Sequence, residues 1–151
     1  MSAPAARNSA VTRRARKQDA AAIAGLAGQL GYPSTQEEIE KRLECVLPGS
    51  SHALFVAEMP GGGIGGWLHV FGYHVMESDP RAEVSGLVVD ASARGTGIGR
   101  LLMQSAEDWA RQQGYTSVTL RSNIIRHEAH AFYQRLGYKI PKTQHVFRKD
   151  L

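Results

Sequence analysis

The sequence is poor in cysteine and contains no long apolar run. Cys45 is its single cysteine in 151 residues, which excludes an internal disulfide and favours a reducing compartment. We expect Cys45, which lies in an amphipathic segment, to pack rather than to act as a nucleophile. No apolar run approaches the roughly 20 residues that a membrane helix requires. We therefore expect a cytoplasmic protein without a membrane partner.

Acidic residues are absent from residues 7–17, where the basic excess behind the formal net charge of +4 is concentrated. Such charge could suit a nucleic acid, but no recognition-helix or aromatic–basic pattern accompanies it. We therefore predict no nucleic-acid partner. We interpret residues 1–10 as a flexible tail and residues 11–151 as a single domain, which the hydrophobic content of 42% can support.

Metal-ligand spacing is also missing from the six histidines, so no metal is predicted. His69 and His74 lie on or near a predicted strand, where ordinary exposed or hydrogen-bonded histidines are the simplest interpretation.

Hydrophobic periodicity predicts alternating strands and helices. Predicted strands lie at residues 11–16, 53–57, 64–73, 82–89, 116–120 and 143–148. Predicted helical faces lie at residues 23–30, 39–47, 98–109 and 129–136, and glycine or Pro-Gly ends each helix. Thr35 and Glu38 form a capping-box pattern before the second helix. The irregular alternation predicts an α/β layered fold with a mixed sheet.

One predicted strand-to-helix corner contains three glycines and an arginine, in the segment Arg94-Gly95-Thr96-Gly97-Ile98-Gly99. Glycine allows positive φ and a close approach of a ligand to backbone N–H groups. The following helix contributes unpaired N–H donors and the positive end of its dipole, and Arg94 adds a planar donor fork. The corner therefore predicts a phosphate-bearing ligand.

Two known phosphate loops do not fit this corner. A Walker loop requires Gly-Lys-Ser/Thr at its end, which Gly99-Arg100-Leu101 does not supply. The dinucleotide fingerprint requires a third glycine where Arg100 stands, and an acidic residue near residues 115–122, where there is none.

The remaining pattern, Arg-x-x-Gly-x-Gly, resembles the pyrophosphate loop of the GNAT family of N-acetyltransferases, which bind acetyl-coenzyme A. A second segment, Phe132-Tyr133-Gln134-Arg135-Leu136-Gly137-Tyr138, is similar to another signature of that family. The resemblance covers roughly residues 11–149 and suggests a bacterial-type, single-domain member. It implies a GNAT-like three-layer fold, in which helices flank a central mixed and splayed sheet.

The resemblance also implies a coenzyme site and a reaction. Acetyl-coenzyme A would be the co-substrate, and an unidentified primary amine would attack its thioester directly. The implied coenzyme-binding residues are Leu87, Val88, Val89, Arg94, Gly95, Thr96, Gly97, Ile98, Gly99, Arg100, Asn123 and Tyr133.

Two residues match positions that carry catalytic roles in the family. Tyr133 matches the family tyrosine whose hydroxyl faces the coenzyme sulfur, which implies a role as the acid or in positioning the sulfur, and the alternative is that it only packs. Glu83, eleven residues before Arg94, matches a general base, and the alternative is a surface glutamate. If the strand alternates, Glu83, Ser85 and Leu87 share one face.

Gly86 interrupts the same predicted strand and indicates a bulge or a close approach by another backbone. In the family this strand carries a bulge. A glycine tolerated for packing is the alternative.

Two further classes of function, one enzymatic and one non-catalytic, stay open from the sequence alone. The same fold could use a longer acyl group or an oxygen acceptor. It could also serve as a non-catalytic acyl-coenzyme A sensor or an interaction module. A homodimer is compatible with the resemblance.

Overall fold

A computed structural model describes residues 10–151, so nearly all of the predicted tail, residues 1–10, lies outside the described residues. The chain divides into two compact units, one ending at Arg121 and the other comprising Ser122–Leu151. The boundaries of a single domain over residues 11–151 stay a prediction.

Eight of the helices and strands belong to the first unit. They are β1 (Val11–Arg14), α1 (Ala20–Leu30), α2 (Gln36–Val46), β2 (His52–Glu58), β3 (Ile64–Tyr73), β4 (Arg81–Val89), α3 (Ile98–Gln112) and β5 (Val118–Leu120). Short 3-10 turns lie at Lys17–Asp19 and Ala91–Ala93. The second unit contains α4 (His127–Arg135).

The first two helices begin and end where the sequence indicates. α1 ends at Gly31, which adopts the left-handed conformation with φ 96°. α2 begins with the predicted capping box, in which Glu38 N–H donates to Thr35 Oγ1 (3.1 Å) and Thr35 N–H donates to the Glu38 carboxylate (3.0 Å).

The five strands form one sheet in the order β1-β2-β3-β4-β5. The first three pairings are antiparallel and β4 pairs with β5 in parallel, which confirms the predicted mixed sheet. One face packs against α1 and α2 through Ile23, Ile39, Leu43, Leu54 and Val56. On the other face Ile98 and Leu102 of α3 lie against Gly66, where an added Cβ would be 3.2–3.4 Å from both side chains. The helices on both faces confirm the predicted layers.

Two predictions are wrong. Residues 143–148 form no strand, because the second unit offers them no strand to pair with, and Val146 and Phe147 are 87% and 93% exposed. Cys45 is exposed rather than packed. It lies two residues after Leu43, and a step of two places a side chain far from the buried stripe of a helix.

Within residues 10–151, none of the helices combines the length and apolarity of a membrane span. The same residues contain no group of three His, Cys, Asp or Glu side chains arranged to hold a metal ion.

Candidate active site

The central feature of the site is a bulge in β4. His69 of β3 pairs with Gly86 and the next residue, Val70, pairs with Val84, so Ser85 has no partner across the ladder. An added Cβ on Gly86 would lie 3.0 Å from the Trp67 ring, closer than ordinary packing, so a larger residue would require the ring to shift. The predicted bulge is confirmed, and the close neighbour is a side chain rather than a backbone.

Beyond the bulge, one edge of β4 is open. β5 pairs only with residues 82–84, whereas β4 continues to Val89. No other strand among residues 10–151 pairs with this edge at residues 85–89. This segment, which we call the open edge, spans about 16 Å at 3.3 Å per residue. Its outward N–H and C=O groups have no strand partner there, which suits an extended ligand. The binding of the coenzyme by Leu87, Val88 and Val89 stays a prediction.

The open edge leads into the predicted phosphate loop. Gly95 and Gly97 have φ values of 78° and 90°, and Gly97 caps the N-terminus of α3. The first hydrogen bond of that helix runs from Leu101 N–H to Gly97 O (3.1 Å). The N–H groups of Ile98, Gly99 and Arg100 precede it, and helix geometry gives them no partner inside the helix.

Side chains around the loop add charge and fix its entry. Arg94 is exposed, and its Nε donates to Val89 O at 3.4 Å, which holds the guanidinium beside the end of the open edge. Arg100 is exposed in the first turn of α3. Asp90 accepts the Ser92 N–H (3.1 Å), a bond that lowers the pKa of the Asp90 carboxyl and shapes the turn before Arg94. Two arginines and a helix N-terminus give the loop a positive electrostatic potential, which favours an anion.

Thr96 lies inside the loop, between the two positive-φ glycines. Its hydroxyl donates to the Ala93 carbonyl oxygen. This contact ties the loop back to the 3-10 turn that precedes it.

Glu83 lies just before the bulge and is buried, with 7% of its surface exposed. Thr119 Oγ1 donates to its Oε1 at 3.3 Å, and Arg81 Nε donates in turn to Thr119 Oγ1 at 3.0 Å. Arg121 Nε lies 3.8 Å from the same carboxylate oxygen. The burial argues against a simple surface glutamate, while the long contacts leave the carboxylate able to accept a further donor.

The bulge changes which side chains share the face of Glu83. Glu83 pairs with Phe71, whereas Leu87 pairs with Leu68, and directly opposed residues project to the same face. Because Phe71 and Leu68 lie on opposite faces of β3, the prediction that Leu87 shares the face of Glu83 is wrong. The extra residue at the bulge inverts the alternation. Ser85 does share that face.

Ser85, His69 and His52 form a hydrogen-bonded chain that sequence reasoning missed. Ser85 Oγ lies 2.8 Å from His69 Nδ1, and His69 Nε2 lies 2.9 Å from His52 Nδ1. Three adjacent strands supply these residues, so only the register of the sheet could have revealed the chain. His52 also lines a cleft of about 250 Å³ together with Arg14, Ala15, Val46, Leu47 and Leu54.

The second unit contains the two remaining predicted site residues, Asn123 and Tyr133. Asn123 Oδ1 accepts the Ile125 N–H (3.1 Å), and its carbonyl oxygen lies 2.9 Å from His130 Nε2. Tyr133 is half-buried between the rings of Phe132 and Tyr138, with centroids 5.1 and 6.1 Å away. Burial raises the pKa of the Tyr133 hydroxyl, against a smaller opposing effect of the Arg126 charge. The hydroxyl is therefore protonated at neutral pH.

Two curated relatives match a limited part of the chain. An uncharacterized N-acetyltransferase of Bacillus subtilis is 39% identical over 69 residues, which is 45% of this chain and 47% of the relative. An aminoalkylphosphonate N-acetyltransferase of Salmonella typhimurium is 42% identical over 67 residues, 44% of each protein. Each match spans less than half the length of either partner.

A solved structure extends the similarity to nearly the whole fold. An aminoglycoside N-acetyltransferase in complex with CoA superposes with a TM-score of 0.84 at 20% identity. The superposition covers 95% of this chain and 97% of the other. At this identity the likeness shows a common fold, which confirms the predicted fold class.

The model of the acetyltransferase (GNAT) family matches residues 21–138. The match includes the bulged strand, the open edge and the glycine loop. Since it covers well over half of the sequence, the chain belongs to the GNAT family of acetyltransferases.

Proposed function

We propose that this protein transfers an acetyl group from acetyl-coenzyme A to a primary amine, by direct attack of the amine on the thioester. The observation that carries the proposal is the continuity of the open edge, the glycine loop and the N-terminus of α3. An extended arm with amide groups fits an unpaired strand edge, and a pyrophosphate fits a helix N-terminus with nearby arginines. Acetyl-coenzyme A carries both groups in that order.

This order fixes the direction of the bound coenzyme. The pyrophosphate would lie on the N–H groups of residues 95–100, near Arg94 and Arg100. The arm would then follow the open edge back from Val89, so that the acetyl group would reach the bulge at Ser85. The coenzyme's reactive end would thus lie beside the strand residues that precede the bulge, which include the buried Glu83.

The chemistry requires two further groups. An alkyl amine has a pKa near 10.4 and must lose a proton to attack, and the departing thiolate must gain one. We assign Glu83 as the base that takes a proton from the attacking nitrogen. We assign Tyr133 as the acid, on the family resemblance of its position and on its protonated state at neutral pH.

A non-catalytic acyl-coenzyme A sensor is the competing function. Coenzyme binding requires only the open edge and the loop, so a sensor has no need of a buried acid next to the acyl end. The burial of Glu83 with long hydrogen-bond contacts favours catalysis over sensing.

We propose the acceptor as a chemical class, a molecule with a primary amine, and not as a particular compound. One curated relative is an aminoalkylphosphonate N-acetyltransferase, and the solved structure with the same fold is an aminoglycoside N-acetyltransferase. We propose an acceptor of that class and a cytoplasmic place of action.

Coenzyme binding is tested by thermal unfolding with different nucleotides. A ligand that binds only the native state at 100 times its Kd adds about 2.7 kcal/mol to the free energy of unfolding. Acetyl-coenzyme A and coenzyme A should both raise the melting temperature, whereas NADH and ATP should have little effect. Stabilisation by NADH but not by acetyl-coenzyme A would refute the assignment of the loop.

Catalysis is tested by thiol release from acetyl-coenzyme A with a panel of amines. The panel contains kanamycin, aminomethylphosphonate, spermidine and a lysine-containing peptide. Sustained release that depends on one of these amines, with the N-acetylated product seen by mass spectrometry, would support transfer. Coenzyme binding without amine-dependent release would favour the sensor.

A further inference from the structure

The chain of Ser85, His69 and His52 connects the bulge with the cleft on the same face of the sheet. Its first member is exposed, at the end of the open edge that lies farthest from the glycine loop. Its last member lines the cleft of about 250 Å³ between β1, α2 and β2. Neither Glu83 nor Tyr133 takes part in this hydrogen-bonded chain, so the proposed base and acid leave it without a role.

The geometry of the chain suits transfer of a proton. The two contacts are 2.8 and 2.9 Å long and use both ring nitrogens of His69. A neutral imidazole carries one N–H and one acceptor nitrogen, so His69 can accept from Ser85 while it donates to His52. Phe71 stacks on the His52 ring with centroids 5.6 Å apart and interplanar angle 24°, which limits rotation of that ring.

The surroundings keep His69 neutral. Burial, and to a lesser extent the nearby His52, lower the pKa of His69 to about 4. Glu83 and Arg81 of β4 share this face of the sheet, and Arg14 of β1 lines the cleft beside His52. α2 also packs on this face, but its charged side chains are exposed or half-buried. α1, which also packs on this face, contains no charged residue. His69 therefore retains an acceptor nitrogen throughout the neutral pH range.

The overall reaction creates a need for such a path. At neutral pH the acceptor arrives as an ammonium ion, and the products are an amide and a thiol. One proton per turnover must therefore leave for solvent, in addition to the proton that passes from the attacking nitrogen to the thiolate. Glu83 and Tyr133 can handle only the second of these protons.

We propose that Ser85, His69 and His52 form a proton relay that deprotonates the acceptor ammonium and delivers its proton to the water of the cleft. The proposal rests on the proposed acetyl transfer. Ser85 Oγ would be the catalytic contact with the ammonium, and the two histidines would act through it.

The transfer balances without any further reactant. An N–H bond of the ammonium breaks as an O–H bond forms on Ser85, and the original hydroxyl proton passes to His69 Nδ1. The proton of His69 Nε2 moves to His52 Nδ1, and His52 Nε2 releases its own proton to water. One proton enters and one leaves, and rotation of the hydroxyl with exchange of the ring tautomers restores the chain.

The test compares His69→Gln with the wild type over pH 6.5 to 10, using the panel amine that supports transfer. Glutamine can hydrogen-bond to both neighbours but cannot pass a proton between two ring nitrogens. At pH 7 we expect kcat/KM to fall by about 100-fold, the lower end of the effect of a positioned proton-transfer group. The deficit should shrink as the pH approaches the pKa of the amine, about 10.4, because a free amine needs no relay.

Further variants make the result independent of the folding of one mutant. Ser85→Ala, at an exposed position, should show the same pH-dependent deficit. His52→Gln should show a smaller one, because water in the cleft can replace its outer nitrogen. His74→Gln is the matched control, since His74 is exposed, its Nε2 lies 3.1 Å from Tyr115 Oη, and it is not a member of the Ser85–His69–His52 chain. Its kcat/KM should equal that of the wild type.

The outcomes separate the relay from the proposed function. A deficit that is equal at all pH values, or absent from both His69→Gln and Ser85→Ala, would overturn the relay while acetyl transfer stands. A wild-type protein that transfers to no amine of the panel would overturn the proposed function, and the relay with it.

Discussion

Two acidic residues are buried among residues 10–151, and their surroundings differ. The Asp19 carboxylate accepts hydrogen bonds from both Nη groups of Arg13, at 2.8 and 2.9 Å, and one from the Arg16 N–H, at 2.8 Å. Glu83 is equally buried, but its contacts are one hydrogen bond from Thr119 at 3.3 Å and Arg121 at 3.8 Å. One carboxylate is fully satisfied, and the other has spare capacity to accept.

The difference in contacts between Asp19 and Glu83 indicates a different role for each residue. Arg13 also bonds to Glu58 at 2.8 Å, so the Asp19 cluster joins β1, β2 and the turn before α1. A bidentate pair of this kind holds backbone segments in place. Glu83 joins nothing so firmly, and it lies beside the bulge and the open edge. We infer that Asp19 contributes to stability and Glu83 to catalysis, so substitutions at the two residues should have different effects.

The largest effect is expected for Glu83→Gln. Glutamine preserves the shape of the side chain but cannot take a proton, so kcat should fall by about 10²- to 10⁴-fold. The free energy of unfolding should change by less than about 1 kcal/mol, because no strong ion pair is lost. Steady-state thiol release and thermal unfolding measure the two quantities. A loss of stability without a fall in kcat would show that Glu83, like Asp19, has a structural role.

Tyr133→Phe extends the comparison to the second unit with an effect of similar size. The variant deletes only the hydroxyl, so kcat should fall by about 10²- to 10⁴-fold while the melting temperature and coenzyme Kd stay near the wild-type values. The high-pH limb of the rate profile should move, since burial raises the pKa of this hydroxyl. Near-normal kcat at every pH would reduce Tyr133 to a packing aromatic.

Asp19→Asn should give the opposite result, with stability lost and kcat retained. Loss of the charge-assisted bonds should cost about 3 kcal/mol, equivalent to a fall of about 6–12 °C in melting temperature. Asp108→Asn is the control, because Asp108 and Arg111 form a pair with both side chains 69% exposed. Exposed pairs contribute little, so the control should unfold almost as the wild type does.

The pH dependence of stability should follow the same cluster. The Arg13 guanidinium, together with the Arg16 N–H, holds the pKa of the Asp19 carboxyl below its usual value near 3.9. A lowered native pKa stabilises the fold above the unfolded pKa, and this stabilisation is lost as the pH falls through the lower native pKa. Asp19→Asn should therefore flatten the acid side of the stability profile. An unchanged slope below pH 4 would remove Asp19 from this role.

The smallest effect is expected for Arg94→Ala. Loss of one charge-assisted contact to pyrophosphate costs about 1.5–3 kcal/mol, so the coenzyme Kd should rise roughly tenfold or more. Stability should not change, because Arg94 is exposed. Arg111→Ala, at an exposed position in the last turn of α3, far along the helix from the loop, is the control for general loss of positive charge. Calorimetry that gives equal Kd values for both variants would exclude Arg94 from the site.

Local signals made much of this fold predictable. Gly31, the Thr35–Glu38 box and Gly97 act within one or two turns of chain, so the sequence around them determines the helix ends. The same holds for the glycine loop, whose chemistry resides in consecutive backbone groups. The bulge was also predictable, because Gly86 interrupts an otherwise regular strand.

Features that depend on the register of the sheet could not be predicted from the sequence. The inverted face of Leu87 follows from one extra residue whose exact place, Ser85, only the ladder shows. The contact of Ser85 with His69 and that of His69 with His52 join residues 16 and 17 positions apart. The strand predicted at residues 143–148 is the opposite kind of error, a feature predicted but absent. The local sequence favours a strand, but it does not show whether a neighbouring strand is available to pair with it.

A crystal structure with coenzyme A would test the proposed binding site and its direction most directly. We expect the pyrophosphate to lie on the N–H groups of residues 95–100. The arm should bond to the backbone of residues 87–89, and the sulfur should lie at the end of the open edge marked by Ser85. A coenzyme bound away from this edge, or bound along it in the reverse direction, would refute the proposed site.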